Sequence, residues 1–173
     1  MSSTAPRIII VPGWRNSSPE HWQSLWAQTL PNVERVEQND WLTPKREDWV
    51  RTLEALILSR PEPVIVVAHS LGCITTTHLG AEAAARIRSA LLVAPADPER
   101  RAHLADFAPV PYQLLPYRSV LVASSNDPYC PIPSQVPTRA PGAANLCVCK
   151  MRGTSMWNRA MAHGRWALPC CSR

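Results

Sequence analysis

The stretch Val64-Ile65-Val66-Val67-Ala68-His69-Ser70-Leu71-Gly72 constrains this chain more than any other. From Pro63 to Ala68 the residues are apolar and mostly β-branched without alternation, which suits a strand buried on both faces. Such strands belong to parallel sheets covered by helices. A helix-forming stretch follows, from about Leu71 to Arg86. Between strand and helix, Ala68-x-Ser70-x-Gly72 has the nucleophile-elbow pattern, with alanine in place of the first glycine. Small residues are needed there because the turn is tight and the serine sits strained at its apex. The helix behind Ser70 would aim its N-terminal dipole at a developing oxyanion. The plain alternative for Ser70 is a helix cap.

The flanking segments agree with a strand–helix alternation. Arg7–Val11 is a short apolar run stopped by Pro12-Gly13. Ser18-Pro19-Glu20 offers a cap, a first-turn proline and an early acid, and Trp22, Leu25, Trp26 and Leu30 follow at helical spacing. Val33–Glu37 alternates like a strand, and Trp49, Leu53, Leu56 and Ile57 form a second helical stripe opened by Thr43-Pro44. Ser89–Ala94 and Ser119–Ser124 read as two further buried strands, and the proline-rich link 96–118 as a lid-like loop at the sheet's carboxyl edge. The fold class is α/β, a three-layer sandwich with a mostly parallel sheet.

Charge matters here by its position. The net charge of +5 would suggest an acidic partner, yet residues 1–136 hold 12 Lys/Arg against 13 Asp/Glu. Residues 137–173 hold six basic residues and no acid. A nucleic-acid footprint needs a basic face on a folded element, and the body offers none. No apolar run is long enough to span a membrane, and the first residues lack a signal peptide's pattern, so a cytoplasmic location is expected. Cys147-x-Cys149 and Cys170-Cys171 lack a second pair at zinc-site spacing, so neither metal nor cofactor is expected. Oligomeric state is not legible.

The remaining chemistry is sought around Ser70. A second oxyanion donor should come from the loop after the first strand, where Gly13 allows close approach. The N–H groups of Leu71 and Trp14 are the assigned donors. The triad acid in such folds follows a later strand. Asp127, in Ser125-Asn126-Asp127-Pro128-Tyr129, is the candidate, with Asp97 as runner-up and a simple Asp-Pro turn as the bland reading. Gly13 and Trp41 are read as pocket wall. His69 is expected to point behind the elbow, and His21 to lie on the surface at a helix start.

Together, Val11-Pro12-Gly13-Trp14, Ser18-Pro19-Glu20-His21-Trp22, Asn39-Asp40-Trp41, Ala68-His69-Ser70-Leu71-Gly72 and Ser125-Asn126-Asp127-Pro128-Tyr129 resemble the small bacterial serine hydrolases related to retinoblastoma-binding protein nine. The resemblance spans residues 6 to about 133. It implies an α/β-hydrolase-like fold, Ser70 as nucleophile, Asp127 as triad acid and a small-molecule acyl substrate, simple esters above all. A non-catalytic binding module built on a hydrolase shell is the alternative.

The same resemblance implies a last strand, a Gly-His-Ile-Asn-type loop carrying the triad histidine, and a closing helix. Residues 137–173 contain no such loop; their one histidine is His163. Three of the four methionines and four of the six cysteines lie beyond residue 136. Reading each codon one base out forces valine across Met156-Trp157, glutamate across Trp157-Asn158, and glycine across both Met161-Ala162 and Trp166-Ala167. With permitted codons the shifted string contains Gly-His-Ile-Asn-Val-Glu and an apolar end. Residues 1–136 are therefore read as the hydrolase domain and 137–173 as a frameshifted tail. That tail is expected to lack the histidine, the last helix and the last strand, save a short β-prone piece around Leu146–Cys149. His163 would serve as base only if the tail carried it beside Ser70.

Overall fold

The computed structural model describes residues 6–111 and 114–124, and the backbone of 145–149 as a strand. The elements in chain order are β1 (Arg7–Val11), α1 (Trp22–Thr29), β2 (Val33–Arg35), α2 (Arg46–Leu58), β3 (Val64–His69), α3 (Leu71–Thr77), α4 (Ala81–Ala85), β4 (Ile87–Val93), β5 (Arg118–Ser124) and β6 (Asn145–Cys149). Two 3-10 turns, Pro98–Arg100 and Ala102–Phe107, occupy the link between β4 and β5.

All six strands are parallel, in the order β2-β1-β3-β4-β5-β6. The chain leaves β1 toward β2 and crosses back over it to β3, so the loops after β1 and β3 diverge. A crevice at the carboxyl ends of these two strands is the usual ligand position in such sheets. The expected loss of the last strand does not hold for the strand itself: Val120 pairs with Asn145 and Ser124 with Cys149. Leu-Cys-Val is β-prone, and β5 offers it an unpaired edge.

Two apolar layers sandwich the sheet. On one face Ile9, Val11, Val64, Val66 and Ala68 meet Leu53 and Ile57 of α2 and Ala83 of α4. On the other, Ile10, Val67, Val93 and Val122 meet Trp22, with Trp26 alongside. The alternation within each strand thus feeds both layers, as burial on two faces requires. Arg7 locks the amino end. Its guanidinium donates to Glu34 at 2.7 Å and to the Leu56 and Ile57 carbonyls at 2.6 and 3.2 Å.

Three local expectations need correction. The helix read from Leu71 to Arg86 is two helices. Thr75, Thr76 and Thr77 each turn their hydroxyl back onto a carbonyl of the preceding turn, and Gly80 restarts the chain with its N–H on Glu54. β-Branched hydroxyl residues weaken a helix in this way. Helix α1 begins at Trp22 rather than Ser18, because Ser18–His21 closes a turn and His21 caps the helix, its Nδ1 accepting from the Gln23 amide at 3.2 Å. The link 96–118 is no loose lid. Leu104 and Phe107 are buried against Trp49, Leu71 and Ile74, and Asp106 accepts from the Arg46 amide at the start of α2.

Candidate active site

Ser70 stands between β3 and α3 with φ 53° and ψ −120°. That backbone is costly for a residue with a Cβ and persists only where the surroundings hold it. Here they do. The Ser70 amide donates to the Val93 carbonyl of β4 at 3.0 Å, and its carbonyl accepts from Cys73 at 3.0 Å. The strain expected of a nucleophile elbow is present, and the helix-cap alternative fails because the Ser70 side chain makes no capping hydrogen bond.

Two glycines bring the loop after β1 against this turn. A Cβ placed on Gly13 would fall 2.8 Å from Ser70 Cβ, 3.1 Å from the His69 carbonyl oxygen and 3.3 Å from the Leu71 nitrogen. A Cβ on Gly72 would fall 2.6 Å from the Pro12 carbonyl oxygen. Only backbone fits between the loop and the elbow. Beyond Gly13 the loop turns sharply, with Arg15 and Asn16 both at φ 65°, Arg15 donating to Trp41 O and Asn16 to Gly13 O, each at 3.0 Å. Among the described residues the amides of Trp14 and Leu71, the two expected oxyanion donors, find no acceptor.

Trp14 and Trp41 lie in one aromatic cluster with Trp49, Leu71, Ile74, Leu104 and Phe107. The Trp14 indole donates to the Leu42 carbonyl at 2.9 Å, and the Trp41 ring meets Trp49 edge-on at 5.5 Å. The Asp40 carboxylate accepts from the Leu42 and Thr43 amides, which lower its pKa and fix the turn that presents Trp41. Trp41 is therefore positioned beside the elbow helix.

The histidines divide by face. His69 does point behind the elbow, onto His21 at 4.8 Å between ring centroids and onto Trp22 at 6.2 Å. Burial lowers its pKa to about 3, with the neighbouring His21 adding to the effect. His21 is half-buried, not a surface residue; burial and the nearby Arg35 lower it to about 4. Both rings stay neutral at ordinary pH. His78 holds the Phe107 carbonyl at 2.9 Å, and His103 packs on the Trp14 ring at 4.2 Å.

Asp97, the runner-up acid, accepts from the Glu99 amide at 3.1 Å and pairs with Arg100 at 3.2 Å, so its carboxylate is committed to its own turn. Asp127 and His163 lie outside the described residues, as does the rest of the tail apart from β6. β5 runs parallel to β4 and β3, so its carboxyl end opens at the same edge as Ser70. Gln23 is a residue the sequence reading passed over. It is fully buried at the carboxyl ends of β1 and β3, and its signal was a polar side chain one position along from Trp22, three before Trp26. Among the described residues no group of three or more His, Cys, Asp or Glu side chains could hold a metal ion, and no helix is long and apolar enough to cross a membrane.

The profile of the family described as serine hydrolase matches residues 8–168. No curated protein sequence matches the chain. Among solved structures the chain is similar to a protein described as a YdeN-like hydrolase from Pectobacterium atrosepticum, at 27% identity and a TM-score of 0.63, over 90% of this chain and 71% of that one. It is also similar to the ydeN gene product from B. subtilis, at 25% identity and a TM-score of 0.67, over 86% of this chain and 87% of that one. With Est1E from Butyrivibrio proteoclasticus, a structure solved with ferulic acid bound, it shares 13% identity, a TM-score of 0.67 and hence the fold alone, over 92% and 88% of the two chains.

Proposed function

The chain belongs to the serine hydrolase family, and from that membership we propose that its site is built for acyl transfer on a small ester, with Ser70 as the nucleophile. The observation that carries this reading is the strained Ser70 backbone with Gly13 packed against it. A hydrolase-type enzyme is what the family and the fold support, and kinship with retinoblastoma-binding protein nine is the finer placement that the motifs suggest.

In the proposed reaction Ser70 Oγ attacks the ester carbonyl carbon while its proton passes to a base. The carbonyl oxygen becomes an oxyanion held by the Leu71 and Trp14 amides, beside Gly13. The tetrahedral intermediate collapses to an acyl-serine and releases the protonated alcohol. Water then repeats the sequence in reverse and frees the acid. Asp127 orients the base, and Trp41 lines the acyl side of the pocket. No metal or cofactor takes part in these steps.

The base is the missing part. We read residues 137–173 as translated one base out of frame, so that the histidine loop is spelled only in the other frame. The tail still begins as the family's does: the match continues to residue 168, and β6 pairs in parallel register. Both frames encode a β-prone piece there, Leu-Cys-Val in one and Val-Cys-Leu in the other, so the strand survives the shift. The chain as written is then a poor catalyst, since losing a triad member costs about 10⁴- to 10⁶-fold in turnover. A cytoplasmic location goes with this reading.

The missing base also favours a second reading, a hydrolase shell that binds an ester or acid without turning it over. A fluorophosphonate probe with added imidazole separates the two. Imidazole-dependent labelling abolished by Ser70→Ala supports the nucleophile, and labelling no faster than in Ser70→Ala supports the binding module. Resequencing the gene around codons 131–138 tests the frame, and esterase activity gained by the frame-restored protein, but not lost from the written chain with His163→Ala, tests its consequence.

A further inference from the structure

Gln23 is 0% exposed, on the first turn of α1, and every polar atom of its side chain is used. Its Nε2 donates to the carbonyl oxygens of Val11 and Val67, each at 3.1 Å. Its Oε1 accepts from Ser17 Oγ at 2.8 Å. Val11 is the last residue of β1, and Val67 lies two residues before the end of β3. Ile10 is paired with Val67 in the ladder, and the residue after Val11 is Pro12, which has no N–H to continue it. One buried amide thus completes the ladder where proline breaks it, and ties together the two strands that carry Gly13 and Ser70.

Ser17 extends this tie along the loop. The Arg35 guanidinium of β2 donates to Asn16 Oδ1 and, at 3.1 Å, to the Ser17 carbonyl; Ser24 Oγ donates to the same carbonyl at 3.3 Å. The Ser17 amide closes onto Asn16 Oδ1 at 2.7 Å. The segment from Gly13 to Ser17 is therefore anchored at its start by the β1 end and at its finish by Ser17, and Gln23 touches both anchors.

We propose that Gln23 is a positioning residue, which sets the distance between the Trp14 amide and the Ser70–Leu71 turn and thereby the shape of the oxyanion hole. This rests on the reading of Ser70 as nucleophile and Trp14 as donor. Its cause is geometric: Gly13 leaves no slack against Ser70 on one side, and the Gln23 bonds stop the loop from moving away on the other. Misplacing a donor by about 1 Å is enough to cost about 10²-fold in rate.

The test uses the full chain with added imidazole and compares fluorophosphonate labelling per folded molecule in the parent, Gln23→Met, Gln23→Glu, Ser17→Ala and Ser70→Ala. Urea midpoints are measured in parallel, with amide hydrogen exchange at residues 13–17. Gln23→Met keeps the volume and removes all three bonds; it is expected to label about 10- to 100-fold more slowly, with faster exchange at Trp14 and Arg15. Gln23→Glu removes the donor at neutral pH and regains one on protonation, so its deficit relative to the parent should shrink on acidification. Ser17→Ala should show a smaller loss. Were Gln23→Met not to fold, Gln23→Glu and Ser17→Ala would decide the question by the same readouts. A Gln23→Met protein that is less stable yet labels and exchanges like the parent would reduce Gln23 to a structural filler and overturn the proposal. Labelling of the parent no faster than Ser70→Ala would instead sink the nucleophile reading. Amide exchange alone would then judge Gln23, unchanged exchange counting against it.

Discussion

Lowering the pH from about 7 to about 5 is expected to destabilise this fold through His69 more than through any other described histidine. The ring lies between the end of β3 and the start of α1, against His21 and Trp22, and burial holds its pKa at about 3. In the unfolded chain it titrates near 6.5. Between these values the unfolded state binds a proton that the folded state refuses, so stability falls as pH drops below about 6.5 and continues to fall toward about 3. At about 1.36 kcal/mol per pH unit, and allowing for partial titration near 6.5, the change between pH 7 and 5 is about 2 kcal/mol. That is a large share of the 5–15 kcal/mol typical of a domain. His21, also lowered, acts in the same direction. Equilibrium urea unfolding of the parent and of His69→Gln at both pH values gives the comparison. The variant carries no titrating ring and should lose about 2 kcal/mol less between them. An identical pH dependence in both proteins would refute the buried neutral histidine.

Gly13→Ala should be damaging for lack of space alone: its Cβ meets Ser70 Cβ at 2.8 Å, so stability should fall by about 1–3 kcal/mol and Ser70 labelling by more than tenfold, measured by urea unfolding and probe kinetics. Trp49→Ala removes a fully buried indole from the aromatic cluster together with its 3.1 Å bond to the Asp40 carbonyl, and a loss of about 3–5 kcal/mol is expected in the same unfolding assay. Arg7→Met leaves Glu34 and two carbonyls of α2 without their donor and should cost about 3 kcal/mol or more, seen as a lower thermal midpoint.

The parts of the fold that were legible are those whose signal is local. Uninterrupted β-branched runs placed β1, β3, β4 and β5 within one or two residues, because burial on both faces leaves no alternation to misread. The elbow was legible because strand, small residues and helix follow one another without a gap. What sequence reading missed depends on distant partners. The break between α3 and α4 involves Glu54, from α2, at the Gly80 amide. The packed link after β4 owes its form to Leu104 and Phe107 reaching Trp49 and Leu71. Gln23 looked like an exposed polar residue because the stripe through Leu25 and Leu30 was taken as the buried face. In fact Trp22, Gln23 and Ser24 are buried, and Leu30 is exposed. A polar side chain earns burial when strand ends supply acceptors, and nothing in α1 itself announces those.

The all-parallel ladder has a consequence for how the chain folds as it is made. No strand can pair with its sequence neighbour by a hairpin. Arg7 must wait for Val64, its partner 57 residues later, before the centre of the sheet exists. At roughly 5–20 residues per second, that is about 3–11 s of synthesis during which β1 is an unpaired apolar segment. Once β3 emerges, the crossing that seats Gly13 against Ser70 is complete, and each later strand adds to an existing edge. A change of reading frame near codon 136 therefore arrives after the nucleophile's surroundings are assembled. It alters the last strand to be added and everything beyond it, and leaves the ribosome holding a nearly finished scaffold with an altered final edge.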